Sequence, residues 1–337
     1  MSAPLHQLPF VNLYVRLDQP DTPLYRSQEQ GQTMVNQIVP EAFWPVVEQF
    51  GVNVRATLKD SNEGAMTVDG VRMIVMQQKM ADGSVWACAQ RINAELMKFQ
   101  NLGFAPHILN HIGSLGERAG LIVISGSSGQ GKTTTAAALL VHFLETYGGL
   151  AFTVESPIEY ILKGRHGTLG QCFQLEVNGA EAWADMIEHA ARWNPRYLFV
   201  GNVRTPEAAK QLIQAAATGH TVITTIHGST PEEALTSLLY LAEPAMGAGT
   251  RDILGGAMTA LIHQTLKEDG PFVHYLFTEE GAAADPVRAL IRENKIGMMS
   301  TYIDRVAARL AHQMPKSPPP AMQQPRPPLP PLPPIRK

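Results

Sequence analysis

The strongest constraint on this chain is a junction at residues 121–133. There the apolar run Leu121-Ile122-Val123-Ile124 gives way to Gly126-Ser127-Ser128-Gly129-Gln130-Gly131-Lys132-Thr133. The pattern GxxxxGK[ST], with a strand before it and a helix beginning near Lys132 after it, is a P-loop in its working context. Its glycines let the backbone turn N–H groups inward onto phosphate oxygens. The helix adds the positive end of its dipole at the same point. Lys132 places a compact charge on the β- and γ-phosphates, and the Thr133 hydroxyl is a ligand for Mg²⁺. The expected ligands are therefore ATP and Mg²⁺. The binding set is Gly126, Ser127, Ser128, Gly129, Gln130, Gly131, Lys132 and Thr133, with Thr134 adjoining.

A loop of this kind needs a parallel sheet to carry it. From residue 120 to 295, short apolar or β-branched runs alternate with helical stretches, the pattern of an α/β sheet. The expected strands are 121–124, 151–154, 197–200 and 221–226, as unrelieved in polarity as buried parallel strands should be. The expected helices are 133–146, 181–193 and 206–218. Residues 1–105 read as a smaller mixed α/β domain. Within it, VRMIVMQ at 71–77 and SVWACAQR at 84–91 flank a turn containing Asp82-Gly83, a hairpin signal. Residues 41–50 and 94–99 read as short helices. The second domain spans 106–314 and closes on a helical end near 303–312. From 315 to 337 nearly half the residues are proline, including PPLPPLPP at 327–334. Such a tail forms neither helix nor central strand and favours extended polyproline II. It is expected to be disordered, or to act as a docking peptide for a partner with an aromatic groove.

Composition excludes several alternatives. The net charge of −3 gives no global basic field and argues against direct nucleic-acid binding. Cys88 and Cys172 form no CxxC pair, which excludes a zinc ribbon and a disulfide framework and fits a reducing compartment. The opening Met1-Ser2-Ala3-Pro4-Leu5-His6 lacks the basic start and apolar core of a signal peptide. No apolar run approaches the roughly 20 residues that cross a bilayer. A cytoplasmic protein is expected, reaching a membrane complex only through partners.

Ligands of open parallel sheets sit beyond the carboxyl ends of the strands. Beyond 151–154 lie Glu155 and Glu159, carboxylates suited to holding Mg²⁺ or polarising the attacking water. Beyond 197–200 lie Asn202 and Arg204, the latter a candidate for phosphate contact or for pairing with a carboxylate. Beyond 221–226 lies His227, a candidate γ-phosphate sensor, while His220 starts the same strand.

In order, the P-loop, TVESPIEY (153–160), NPRYLFVGNVRT (194–205) and TGHTVITTIHGSTPEEAL (218–235) resemble the type II/IV secretion ATPases. The resemblance is strongest to the pilus retraction branch and its relatives in conjugative transfer and Dot/Icm-type secretion. VRALIRE at 287–293 is similar to the AIRNLIRE signature of that branch, and the four-cysteine zinc module of the pilus-assembly branch is absent. The resemblance covers roughly residues 65–300. It implies a PAS-like N-terminal domain, a RecA-like C-terminal domain, homo-hexameric rings, and partners in a membrane-embedded pilus, secretion or conjugation machine. It also places ATP between the two domains, within reach of arginines. On that analogy Arg91 faces nucleotide.

The departures bear on chemistry. Where the family has Gly-Glu-x-Arg-Asp at Walker B, with the glutamate as general base, this chain has Gly201-Asn202-Val203-Arg204-Thr205. Glu-Asp-Pro-x-Glu becomes Glu155-Ser156-Pro157-Ile158-Glu159, and Asp-Pro-Asp becomes Asn194-Pro195-Arg196. An amide has no accessible basic form, yet it holds water by hydrogen bonds. Two readings follow. One is an ATP-hydrolysing hexameric motor in which Glu155 or Glu159 stands in as base. The other is an ATP-binding regulatory or structural subunit of the same machine, with little or no hydrolysis. The order of the motifs speaks against an unrelated P-loop kinase.

Overall fold

The computed structural model describes residues 3–27, 35–59, 61–92, 95–177, 179, 181–267, 270–279 and 285–303. The proline tail, and the helical end near 303–312 beyond Ile303, lie outside the described residues.

Two sheets organise the chain. The first comprises β1 (Phe10–Arg16), β2 (Leu24–Ser27), β3 (Asn36–Ile38), β4 (Glu63–Val68), β5 (Val71–Lys79) and β6 (Val85–Arg91), in the order β3-β2-β1-β6-β5-β4. Every pairing in it is antiparallel. The hairpin read from Asp82-Gly83 is β5–β6, in register from Met73↔Arg91 to Lys79↔Val85. Helix α1 (Trp44–Thr57) follows a 3-10 turn and outlasts the helix expected at 41–50. Its Val47, Phe50 and Val54 pack with Leu13, Val15 and Met73 of the sheet. That alternation of buried positions is what a one-sided antiparallel sheet requires.

The helix expected at 94–99 is absent. Among the described residues there, Glu95–Lys98 are irregular and only Phe99–Asn101 turn as a 3-10 helix. The connection is pinned by Phe99, 4% exposed and stacked 4.5 Å from the His142 ring, so the chain is drawn straight into the second core.

After α2 (Pro106–Ser114) come β7 (Gly120–Gly126), α3 (Lys132–Tyr147), β8 (Gly149–Glu155), β9 (Gly164–His166), β10 (Gly170–Glu176), α4 (Ala182–Arg192), β11 (Tyr197–Val200), α5 (Pro206–Ala217), β12 (Thr221–His227), α6 (Pro231–Met246), α7 (Thr250–Ala257), β13 (Met258–Lys267), β14 (Gly270–Phe277) and α8 (Pro286–Arg292). The order β14-β13-β7-β12-β11-β8-β10-β9 gives a parallel centre with one antiparallel strand at each edge. Adjacent residues of β7 serve opposite cores. Leu121 and Val123 face the side covered by α4 to α8, and Ile122 and Ile124 face the side covered by α2 and α3. Burial on both faces explains the unbroken apolar runs.

At the start of β7 the chain passes Gly120 with φ +120°, where an added Cβ would sit 2.1 Å from Thr259 Oγ1 and 2.6 Å from the Ala257 carbonyl oxygen. Only glycine fits that conformation and that gap. Gly120→Ala is expected to destabilise the protein by about 3 kcal/mol or more, read as a lowered denaturant midpoint. A midpoint equal to wild type would refute the close approach of β13 to β7.

Candidate functional site

The carboxyl ends of β7, β8, β11 and β12 open into a cavity of about 600 Å³ that the first sheet roofs with Val11, Ile74, Gln90 and Ile92. Its floor is the loop at 126–133. Gly131 is the N-cap of α3 at φ +75°, and this left-handed turn lets the next backbone N–H groups aim into the cavity. Lys132 is 7% exposed, and its Nζ donates to the Ser127 carbonyl at 2.7 Å. It also lies 3.3 Å from His227 Nδ1. Burial lowers the lysine's proton affinity while Glu159 opposes that change. His227 is also held below the ordinary histidine range, by burial and then by the charges of Lys132 and Arg204. A neutral His227 accepting from Lys132 satisfies both groups.

Two carboxylates face the loop. Glu159 accepts from the Thr133 hydroxyl at 3.0 Å, and burial raises its carboxyl against the pull of Thr133 and Lys132. Glu155 ends β8, is 4% exposed, and is pushed up by burial to about 7. Its Oε1 accepts from Gln174 Nε2 at 3.2 Å. Asn202 and Arg204 line the same cavity, and the Gly201 N–H donates to the Val154 carbonyl at 2.9 Å, which sets the Asn202 turn beside Glu155. Thr134 Oγ1 meets Tyr160 OH at 2.8 Å.

A half-buried hydroxyl bonded to Glu159, with Glu155 lining the same cavity, is an oxygen donor set that a hard cation suits. Among the described residues no three His, Cys, Asp or Glu side chains form a closed metal cage. Mg²⁺ is a hard cation that takes few protein ligands and completes its shell with water and phosphate.

Arg91 lines the cavity, but its guanidinium donates to the carbonyls of Leu8 at 3.1 Å and His6 at 3.2 Å and lies over the Phe10 ring. His220 sits at the opposite end of β12, with Nδ1 2.7 Å from the Pro195 carbonyl. Arg196 is likewise remote from the loop. It donates to the carbonyls of Tyr147 and Gly116, so the altered Asn194-Pro195-Arg196 serves the far edge of the sheet.

Three further residues have no expected role in the sequence. Gln174 holds the 155–163 segment with both ends of its amide: Nε2 donates to Glu155 and Tyr160, and Oε1 accepts from the Leu162 and Lys163 N–H groups. Arg72, on β5, donates to the Ile158 carbonyl at 2.5 Å and the Glu159 carbonyl at 3.2 Å, tying the first sheet to the carboxylate segment. Gln264 lies behind the P-loop. A polar residue interrupting an apolar strand was the available signal for Gln264 on β13.

Residues 72–270 match the family described as type II/IV secretion system protein. The twitching motility protein of Neisseria gonorrhoeae is 29% identical over 200 residues, 59% of this chain and 52% of that protein. The type IV pilus retraction ATPase PilT of Pseudomonas aeruginosa is 28% identical over 185 residues, 55% and 53% of the two chains. This chain thus spans about half the length of the curated relatives it matches. The crystal structure of the pilus retraction motor PilT with bound ADP superposes with a TM-score of 0.67 at 24% identity, covering 91% of each chain. The Legionella pneumophila ATPase DotB gives 0.66 at 19% identity, covering 91% of this chain and 85% of that one. At these identities the likeness is one of fold.

Proposed function

We propose, from the premise that this chain belongs to the type II/IV secretion system protein family, that it is an ATP-hydrolysing motor of a type IV pilus, conjugative transfer or type IV secretion machine. The observation that carries the reading is the convergence of Lys132, Thr133, Glu155 and Glu159 on one cavity between the two sheets. In this reading residues 1–105 are a PAS-like domain, 106–314 a RecA-like domain, and 315–337 a proline-rich tail available to a partner. The working form is a homo-hexamer, cytoplasmic and peripheral at the inner membrane through its partners. Among the described residues no helix is long and apolar enough to cross a membrane.

The residues divide the work. Backbone N–H groups of 127–134 and the head of α3 hold the phosphates of ATP. Lys132, already stripped of most water, offers its charge to the β- and γ-phosphates. Mg²⁺ held by Thr133, with Glu155 or Glu159 behind it, would neutralise charge on the leaving phosphate oxygens. Asn202 orients the attacking water by hydrogen bonds. Glu155 takes its proton as the oxygen–phosphorus bond forms and the bond to ADP breaks, and its raised proton affinity suits a base working near neutral pH. His227 and Arg204 face the γ-phosphate end.

A second reading rests on Asn202. Without a carboxylate at that position, the chain is an ATP-binding regulatory or structural subunit of the same machine. Steady-state phosphate release with Mg²⁺ decides between them. The motor reading expects measurable turnover by wild type, increased about 10-fold in Asn202→Glu, less than the 10²–10⁴-fold of full general-base help because Glu155 already serves as base. ATP binding without turnover in wild type, with activity gained only in Asn202→Glu, selects the second reading.

A further inference from the structure

A P-loop works only if its N–H groups point in, and its carbonyls must then point out and find donors elsewhere. Here the donor for the Gln130 carbonyl comes from β13, a strand that lines no part of the cavity. Gln264 is 3% exposed and uses both ends of its amide. Nε2 donates to the Gln130 carbonyl at 2.6 Å, and Oε1 accepts from Thr135 Oγ1, in the first turn of α3, at 2.7 Å. The loop reaches back, with Gln130 Oε1 accepting the Leu266 N–H. At the base of the loop a Cβ on Gly126 would lie 2.4 Å from the Gln264 carbonyl oxygen, so backbone packs on backbone there. On the other face of the strand His263 Nδ1 meets Ser125 Oγ at 3.0 Å, in register with the residue just before the loop.

We propose that Gln264 is a positioning residue for nucleotide binding. It turns the Gln130 carbonyl outward and locks it to α3, so that the loop is preformed before phosphate arrives. The inference rests on the P-loop being the nucleotide site and adds a residue that never touches the nucleotide. It also makes the β13–β14 hairpin, whose Leu266 and Phe272 are exposed, part of the same rigid unit as the loop.

The test is the affinity of the full chain for N-methylanthraniloyl-ATP, together with KM and kcat for phosphate release. Gln264→Met keeps the shape and removes both bonds. Its dissociation constant and KM are expected to rise about 10-fold, with kcat within about twofold. Thr135→Val, which leaves Gln264 able to hold Gln130, is expected to give about 3-fold, and Thr135→Ser to restore wild-type affinity. Should Gln264→Met not fold, Gln130→Ala removes the latch from the exposed side, with about a 3-fold rise expected. Folded variants that bind with wild-type affinity, or that lose kcat without affinity, overturn the proposal. Failure of wild type to bind overturns the nucleotide reading and this one together.

Discussion

Replacing Lys132 by alanine is expected to lower kcat/KM for ATP by about 10³-fold, the scale on which removal of one preorganised charge-stabilising donor acts. The same variant should be no less stable than wild type. Lys132 is 7% exposed, and burial lowers its pKa below the unfolded value. The folded state therefore binds this proton less tightly than the unfolded state, so the lysine opposes folding at neutral pH and the opposition fades as pH rises toward 10.5. Deleting it removes that cost, along with its hydrogen bond to the Ser127 carbonyl and its contact with His227. Turnover and thermal midpoint measured on one preparation should move apart: activity lost, midpoint unchanged or raised. If wild type proves catalytically silent, the same contrast is read in ATP affinity. Activity within 10-fold of wild type would remove the loop from its role, and a collapsed midpoint would show that Lys132 serves the fold instead.

The central parallel sheet was legible because burial on both faces leaves no polar relief. Tyr197–Val200 stands as expected, and the runs at 121–124, 151–154 and 221–226 lie within β7, β8 and β12. The edge strands were not legible for the converse reason. Edge strand β9 is only three residues long with none of them buried, and edge strand β14 carries Phe272 and His274 toward solvent. A short helix was expected at 94–99, but Phe99 is held by the second core and tertiary packing overrode local propensity. At the site, side chains that follow strand ends were found by position alone: Glu155, Glu159, Asn202, Arg204 and His227 all line one cavity. Arg72, Gln174 and Gln264 reach their partners across 86, 19 and 129 residues of sequence, and no local spacing encodes such pairings.

The distribution of charge around the altered Walker B turn gives that substitution a physical meaning. Glutamate at position 202 would be a further carboxylate in a cavity where burial already raises Glu155 and Glu159. Like charges in one site disfavour each other's ionisation. An amide there keeps a water-orienting group without that repulsion and leaves the ionisation of Glu155 to be set mainly by its own burial. On the proposed motor reading, the carboxylate deeper in the cleft, Glu155 on its strand end, is then the group whose protonation state would govern catalysis.

Glu155→Gln tests that assignment on two independent scales. The wild-type carboxyl is raised from 4.5 to about 7 in the folded protein. The folded state therefore holds this proton where the unfolded chain has released it. The associated stability is fully present below pH 4.5, falls as pH rises toward about 7, and is flat above, a loss of about 3 kcal/mol for a shift of this size. Glutamine never ionises, so the variant should be more stable than wild type at pH 8 and lack this group's share of the slope between pH 5 and 7, as read by urea midpoints at each pH. Turnover should move in the opposite sense. Wild-type kcat/KM is expected to rise with pH to a plateau above about 7, and the variant to lose 10²–10³-fold in kcat on that plateau, with a small change in KM. Glu159→Gln separates the two carboxylates. Glu159 is bonded to Thr133, so its loss should show as a raised Mg²⁺ requirement while the pH plateau stays in place. If Glu155→Gln removes the stability slope but keeps turnover, the carboxylate is a buried acid that catalysis does not use. Proton transfer then belongs to Glu159, and the pH profile should follow that residue instead.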